Sequence, residues 1–352
     1  MKISLRSTII FSMILLSFFG LLTIMSSQSE TASPYDLLFK QLIAFVMALG
    51  AMLFCGSLPF SLLRRLTPFL SSVSLLALLI LPLCGTRING MCGWFRFGSI
   101  SLQPSEISKG FFLLGLVFVL KHFTQERSRF FMGLAYTLLW VGTILMQPDF
   151  GTAFIYLSAF AFLIFVAGIS WKWITGTLLL AAGTAFMFIQ FHPYARKRLE
   201  AFLDPSSSWH MQQLELASAR GGWFGSKLGY ALWSNAYVPL PYNDSAFATL
   251  TETIGFAGAL FVLILFAVLL AALSAAALQR TLPDHARLFA AGCTIIIGVQ
   301  TLLHTGVNLN LLPPTGLTLP LISFGGSSLV GCGILLGLAL SAIREKKQEN
   351  VM

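Results

Sequence analysis

The sequence predicts an all-α polytopic membrane protein, a bundle of about ten transmembrane helices with a long extracytoplasmic loop between helices 7 and 8. Of its 352 residues, 56% are hydrophobic and 10% are charged, against about 45–50% and about 25% in soluble domains. Uncharged runs approach the roughly 20 residues that cross a bilayer, where irregular backbone is poorly tolerated. We expect one transmembrane domain over residues 1–352.

The uncharged runs give the helices in order. After Arg287 no charged residue occurs until Arg344, and the breaker Leu311-Leu-Pro-Pro-Thr-Gly316 divides that stretch into helices 9 and 10. The long polar interruption is residues 192–247. Helices 1 to 8 are predicted over 7–29, 41–63, 66–86, 104–120, 130–147, 150–171, 173–191 and 253–279.

The charge distribution predicts the orientation. Cytoplasmic loops collect lysine and arginine, and most of the 22 basic residues lie on one side if the N-terminus is inside. Both termini are then cytoplasmic and the 192–247 loop is outside. The net charge of +9 is therefore interpreted as a topology signal and not as a nucleic-acid interface. Of five cysteines, Cys84 and Cys92 are the pair that an oxidising compartment would join, although a small apolar role is favoured.

Two ionisable residues open helix 4. Pro104 suits a first helical turn and Glu106 suits the positive end of the helix dipole. Glu106 and Lys109 are three residues apart and share a face, so they can pair. Two interpretations stay open: a structural ion pair, or charges that mark a substrate path inside the bundle.

Two aspartates precede helices on the outer side. Asp149, in Gln147-Pro-Asp-Phe-Gly-Thr152, is favoured as a turn and N-cap residue over a catalyst. Asp244 opens helix 8, where it is an N-cap candidate that could also be catalytic. Glu252 lies about two turns further in, so we expect it to be paired or to face a polar cavity. The basic cluster at 196–198 suits an anionic headgroup or a solvated helix end.

Five motifs in order carry a family resemblance. They are Ser101-Leu-Gln-Pro-Ser-Glu-Ile-Ser-Lys109, Gln147-Pro-Asp-Phe-Gly-Thr152, Gly221-Gly-Trp-Phe-Gly225, Asn243-Asp244 and Leu312-Pro-Pro-Thr-Gly-Leu-Thr-Leu-Pro-Leu-Ile-Ser-Phe-Gly-Gly-Ser-Ser328. Together they resemble the SEDS peptidoglycan polymerases, the FtsW, RodA and SpoVE group. Trp94-Phe-Arg-Phe-Gly98 and Ala201-Phe-Leu-Asp-Pro205 make the chain more similar to FtsW than to RodA.

The resemblance implies a glycosyltransferase that polymerises lipid II during cell division and releases undecaprenyl diphosphate. It implies that Asp244 is the catalytic base and that the substrate is bound by Glu106, Lys109, Arg96, Arg196, Arg198, Glu252 and Ser323. A divalent cation, Mg²⁺ or Mn²⁺, is an alternative means of holding the diphosphate, and no organic cofactor is expected. The alternatives are a RodA-like elongation polymerase, a lipid II flippase and a weakly active scaffold.

The resemblance also implies partners and a location. We expect a class B penicillin-binding protein to contact the outer loop and the outer faces of helices 8 and 9, packed through small residues. Other divisome or elongasome membrane proteins are expected as well. The expected location is the bacterial cytoplasmic (inner) membrane.

Overall fold

The computed structural model describes residues 4–27, 35–88, 91–98, 100–177, 208–226 and 230–345, with residues 179, 183, 190, 196, 199–200 and 202–204 between them. Within these residues the chain is a helical bundle. Seven of the described helices are long and apolar enough to cross a membrane. The helices are α1 Leu5–Ser27, α2 Asp36–Ser57, α3 Phe60–Cys84, α4 Pro104–Ile107, α5 Lys109–His122, α6 Glu126–Leu145, α7 Phe150–Val166, α8 Trp209–Arg220, α9 Leu232–Tyr237, α10 Ala246–Leu278, α11 Asp284–Asn308 and α12 Gly326–Arg344.

Most predicted helices have a counterpart in the structure, but the predicted boundary between helices 2 and 3 is wrong. The sequence predicts a break near residues 64 and 65, whereas α2 ends at Ser57 and α3 begins at Phe60. Leu58 is extended, with ψ of 142°, because a residue before proline disfavours the helical region. Arg64 and Arg65 therefore lie on α3. The seventh predicted helix, 173–191, falls mostly outside the described residues. Its described beginning is helical, as part of a helical stretch over residues 171–177.

A small antiparallel sheet was not predicted. Its strands, β1 Thr86–Ile88, β2 Met91–Phe97 and β3 Ile100–Leu102, pair in the order β1-β2-β3 and lead into α4. The register places Arg96 opposite Ser101. Cys92 is buried in this sheet region and its Sγ donates to the Leu81 carbonyl at 3.3 Å. Neither it nor Cys84 forms a disulfide, so the favoured small apolar role of Cys92 is confirmed.

Among its described residues, the 192–247 segment, predicted as an extracytoplasmic loop and called the outer segment below, contains the helices α8 and α9. Helices α8 and α9 pack on the first turns of α10 through a separate apolar cluster formed by Leu214, Ala217, Val238 and Ala248. Residues of this segment are thereby anchored to the helix that follows them. The cluster places α9 next to the start of α10, where Asp244 lies.

Helix α10 is longer than a bilayer requires and is interrupted at Gly255. Its 33 residues would span about 50 Å, against a hydrocarbon core of about 30 Å. Gly255 has φ of 72° and ψ of −179°, a conformation open to glycine. Residues 256–278 alone cover about 35 Å, so residues 246–254 exceed the length that a crossing requires.

The segment 221–226 completes the hydrogen bonding at this interruption. Phe256 N donates to the Gly222 carbonyl at 2.9 Å, and Ala257 N donates to the Trp223 carbonyl at 3.1 Å. Ser226 N in turn donates to the Glu252 carbonyl at 2.9 Å. The two chain segments therefore share backbone bonds that a continuous helix would make internally.

Helices α2 and α12 make the most extensive contact of the bundle. Gly333 of α12 meets the Ala48 backbone so closely that a Cβ would collide with it. Small residues allow this approach, which in lipid supplies much of the packing energy between helices. The contact fixes the segment before α12 against the N-terminal part of α2.

Candidate functional site

The segment between α11 and α12, residues 309–325, connects the elements that form the candidate site. Gln41 of α2 bonds it twice, with Nε2 donating to the Ser323 carbonyl at 3.2 Å and Oε1 accepting from Gly325 N at 3.3 Å. Ser327, just after it, accepts from Gln103 N at 2.8 Å. The motifs that the sequence separates by more than 200 residues thus meet at one end of the bundle.

The loop that carries Asp244 is held by three successive carbonyls. The Tyr242 carbonyl accepts from Phe324 N at 2.7 Å, and the Asn243 carbonyl accepts from Ser323 Oγ at 2.8 Å. The Asp244 carbonyl accepts from Asn308 Nδ2 at 3.0 Å. Each donor comes from the 308–324 region, so the position of Asp244 is set by the segment that closes the bundle.

Backbone strain accompanies this arrangement. Leu240 has φ of 48° and Leu321 has φ of 66°, values that cost a residue with a side chain about 1–3 kcal/mol. Leu240 precedes Asp244 by four residues, and Leu321 precedes Ser323 by two. Strain of this kind persists where surrounding bonds over-determine the backbone, and such positions cluster at functional sites.

Asp244 does not occupy the N-cap position of α10. Ser245 is the N-cap residue, and its Oγ donates to the Pro239 carbonyl at 2.9 Å. Asp244 is half-buried one residue earlier. The cap interpretation of Asp244 is therefore wrong as to position, because the turn at 240–245 enters the helix one residue later than the sequence pattern indicates.

Glu252 is used inside the protein. Its carboxylate accepts from Trp233 N at 2.9 Å, from Ser234 N at 2.8 Å and from Ser234 Oγ at 2.6 Å. It is 2% exposed. The expectation that Glu252 is paired is confirmed, and its partner is the N-terminus of α9. With both oxygens occupied and little surface open, this residue positions the outer segment instead of presenting a substrate contact.

Ser323 has a similar positioning role. It is 3% exposed, and besides its bond to Asn243 its Oγ accepts from Leu319 N at 2.8 Å. The implied substrate contact is thus replaced in this structure by two internal bonds. The hydroxyl connects the 309–325 segment to the residue before Asp244.

Glu106 and Lys109 form a buried ion pair. Lys109 Nζ lies 2.6 Å from Glu106 Oε1, and the two side chains are 3% and 5% exposed. Lys109 also donates to Gln300 Oε1 at 2.7 Å, and Gln300 Nε2 donates to the Thr318 carbonyl at 3.0 Å. The predicted pairing is confirmed. The chain of bonds links α4 and α5 to the 309–325 segment, which favours the structural interpretation over direct substrate contact.

Asp149 caps α7, as predicted. Its Oδ1 accepts from Thr152 N at 3.0 Å, and its Oδ2 is buried without a hydrogen-bond partner among the described residues. Burial raises the pKa of this carboxyl, because a carboxylate loses its hydration there. A neutral side chain of the same shape therefore suits this position.

The remaining basic candidates are spread out. Arg96 is exposed on β2, and Arg196 is exposed and paired with Glu200 at 3.0 Å. Arg198 lies outside the described residues. In the described part of the chain no three His, Cys, Asp or Glu side chains gather as a metal site, so these residues do not by themselves form the ligand set of a divalent cation.

The comparison with known families decides the classification. The profile for cell cycle proteins of the FtsW/RodA/SpoVE group matches residues 6–348. The chain belongs to this family. Among curated relatives, the probable peptidoglycan glycosyltransferase FtsW of Alkalilimnicola ehrlichii is 35% identical over 91% of this chain and 83% of its own length. The FtsW of Pseudomonas fluorescens is 32% identical over the same shares.

Solved structures of the FtsW/RodA/SpoVE family share the fold. A chain from a peptidoglycan synthase complex, described for its coordination of polymerization and crosslinking, matches with a TM-score of 0.83 at 30% identity, over 97% of this chain and 98% of that one. The rod shape determining protein RodA of Thermus thermophilus matches with 0.72 at 28% identity, over 97% of both chains. The resemblance expected from the sequence motifs, with FtsW favoured, is confirmed.

Asn308 is the positioning residue that sequence reasoning missed. Its Nδ2 donates to the Asp244 carbonyl and to the His304 carbonyl, while its Oδ1 accepts from Ala248 N at 3.0 Å. One amide therefore ties the end of α11 to both sides of the α10 entry. The available signal was a polar pair, Asn308 and Asn310, at the end of an apolar run.

We expect Asn308→Ala to lower kcat about 100-fold with little change in KM. The reason is that a displacement of about 1 Å in a positioned group costs about 100-fold. Asn310→Gly is the matched control, since Asn310 bonds Met211 in α8 instead and its φ of 57° suits glycine. Steady-state kinetics on the two variants at equal thermal stability check this. Equal losses of kcat in both variants would show that Asn308 has no specific role in positioning Asp244.

Proposed function

We propose that this chain is a peptidoglycan glycosyltransferase, as the names of its FtsW relatives indicate. It polymerises lipid II at the outer face of the cytoplasmic membrane. The observation that carries the proposal is the half-buried Asp244, held through the carbonyls of residues 242–244 by donors from residues 308–324. A base for proton abstraction has to be held in place, and this loop holds one. The FtsW relatives indicate a role in cell division.

One carboxylate is sufficient for this chemistry. Hydrolysis of an ordinary glycoside requires an acid for the leaving oxygen as well as a second carboxylate. In lipid II the leaving group is undecaprenyl diphosphate, which departs as a stabilised anion. Asp244 removes the proton from the acceptor sugar hydroxyl as that oxygen forms a bond to the donor anomeric carbon. The bond from that carbon to the diphosphate oxygen breaks, and the configuration inverts.

The anionic diphosphate needs compensation by positive charge. Arg96 and Arg196 are both exposed, so their side chains are accessible to the diphosphate. Lys109 is 2% exposed, so in this conformation its charge can act on the diphosphate through the electrostatic field but not by direct contact. A divalent cation remains part of the proposal, held mainly by the substrate phosphates as Mg²⁺ commonly is. No step of the mechanism depends on it.

The test is synthesis of glycan strands from lipid II by the purified chain in detergent. We expect chains longer than the substrate to form and undecaprenyl diphosphate to be released. A flippase would leave lipid II unchanged, because detergent removes the bilayer across which it works. Absence of strands with the wild-type chain, both alone and with its transpeptidase, would contradict the proposal.

The partner belongs to the same proposal. Strands made by a polymerase need crosslinking, and a relative of similar fold is part of a synthase complex that coordinates the two activities. We place a class B penicillin-binding protein on the outer faces of α10 and α11 and on the outer segment. Photocrosslinkers at exposed Phe256 and Leu302 test this. Crosslinks confined to the opposite end of the bundle would contradict the placement.

The orientation in a bacterial cytoplasmic membrane is also proposed. It rests on the excess of lysine and arginine at the end of the bundle opposite Asp244. A reporter fused after Met352 should be active in the cytoplasm. Activity restricted to the outer side would reverse the assignment.

A further inference from the structure

A cavity of about 240 Å³ lies at the end of the bundle opposite Asp244. It opens between the start of α3, the end of α5 and the start of α11. Its lining includes His285, near the first residue of α11, whereas Asn308 beside Asp244 is the last residue of that helix. At about 1.5 Å per residue the two ends are about 35 Å apart, so the cavity is separate from the outer site.

The polar part of the cavity is basic. Arg64, Lys121, His122 and His285 line it. The Arg64 Nη1 lies 3.0 and 3.1 Å from the two ring nitrogens of His285. Lys121 Nζ donates to Asp284 Oδ2 at 3.0 Å. These bonds use Nη1 of Arg64 and one N–H of the Lys121 ammonium, while a guanidinium has five N–H donors and an ammonium has three.

The carboxylates near the cavity are already engaged. His285 Nε2 lies 2.7 Å from Glu345 Oε2, which pairs the start of α11 with the end of α12. Asp284 is also 3.6 Å from Arg287 Nη1 through its other oxygen. Two cationic side chains, Arg64 and Lys121, line the cavity. Lys121 is paired with Asp284, whereas Arg64 contacts the His285 ring. Arg64 is therefore the cation that an anionic ligand would complement.

The rest of the wall is apolar apart from Thr67. Phe60, Leu114 and Val117 contribute to it, and each is at most 4% exposed. A free phosphate gains nothing from such a wall, whereas a phosphate attached to a glycerol and acyl chain does. The volume is below the about 300–1,000 Å³ of pockets for drug-sized ligands, which fits one headgroup at the membrane surface.

We propose that this cavity binds the headgroup of an anionic phospholipid of the cytoplasmic leaflet, with the phosphate at Arg64 and Lys121 and the glycerol against Phe60 and Val117. Basic pockets between helices on the cytoplasmic side are suited to such lipids, which are concentrated at that face. The lipid would join α3, α5 and α11 at the inner end of the bundle. This inference rests on the proposed orientation of the chain in the membrane and does not depend on the polymerase activity.

The test uses native mass spectrometry of the purified full-length chain titrated with phosphatidylglycerol. We expect one tightly retained lipid, and Arg64→Gln with Lys121→Gln to weaken its binding about 30-fold. Arg65→Gln with Arg127→Gln is the matched control, because both residues are exposed at the same end and do not line the cavity. That control should change binding less than twofold.

A variant that is expected to bind the lipid more tightly separates loss of the site from misfolding. Asp284→Asn removes the carboxylate that accepts from Lys121, so retention of phosphatidylglycerol should increase several-fold. Phosphatidylcholine and millimolar inorganic phosphate serve as probes of the ligand source. The proposal is overturned if phosphate displaces the lipid, if phosphatidylcholine binds equally, if the control pair loses as much binding, or if Asp284→Asn gives no gain.

Discussion

Asp244→Asn is expected to give a folded, membrane-inserted protein that makes no glycan strands. The amide keeps the size and shape of the side chain, so the bonds from Asn308, Ser323 and Phe324 to the backbone of residues 242–244 remain. An amide cannot accept the proton of the acceptor hydroxyl. Loss of general base catalysis costs about 10²–10⁴-fold in rate. Lipid II polymerisation at matched protein concentration measures the loss.

The matched control is the same substitution at Asp149, the other aspartate that the sequence motifs single out. Asp149→Asn should keep activity within a few-fold, since asparagine caps helices as well as aspartate does and the Asp149 carboxyl bonds Thr152 N through one oxygen. Asp244→Glu should retain little, because the longer chain moves the carboxylate by about 1 Å. Full activity of Asp244→Asn would remove Asp244 as the base and direct the search to another carboxylate.

Lys109→Met should lower the free energy of unfolding by about 3–5 kcal/mol. It leaves Glu106 as an unpaired charge at 4% exposure and removes the donor to Gln300. Breaking a buried ion pair from one side costs about this much. The double variant Glu106→Gln with Lys109→Met should regain at least half of the loss, because the uncompensated charge is gone.

A surface pair provides the control. Lys40 and Asp36 are joined at 2.7 Å with side chains 44% and 56% exposed, so Lys40→Met should change stability by at most about 1 kcal/mol. Denaturant unfolding in one detergent compares the four proteins. A double variant no more stable than Lys109→Met would show that Gln300, and not Glu106, is the partner that matters. Activity measured on the stable double variant then tests the implied substrate role of the pair.

The sequence predicts the spanning helices well because lipid imposes length and composition on them. The sequence predicts helix 8 at 253–279, because Glu252 immediately precedes the uncharged run, and α10 contains these residues as far as Leu278. The preceding residues of α10, 246–252, were missed because a charge was taken as a boundary. Glu252 is tolerated there because the N-terminus of α9 donates to it, a contact with a segment that no local pattern identifies.

The site was predicted in its charged members and missed in its neutral ones. Asp244 and the Glu106–Lys109 pair stand out in an apolar chain, as does the segment with Pro313, Pro314 and Ser323. Asn308 has no charge and lies at a helix end, where asparagine is common, so the polar pair that it forms with Asn310 was too weak a signal to predict its bonds to Asp244 and Ala248. The strands at 86–102 were missed because two of the three strands are too short to show the alternation of polar and apolar residues that indicates a β-strand.

A membrane helix usually satisfies its own backbone and can therefore insert by itself. Helix α10 is different, because Phe256 and Ala257 donate to Gly222 and Trp223, residues that belong to another segment. That segment precedes α10 in the chain, so its residues are already made when α10 is synthesised. The final form of α10 thus depends on a contact with an earlier segment, and a substitution that disrupts residues 221–226 also disrupts the backbone bonding of the helix.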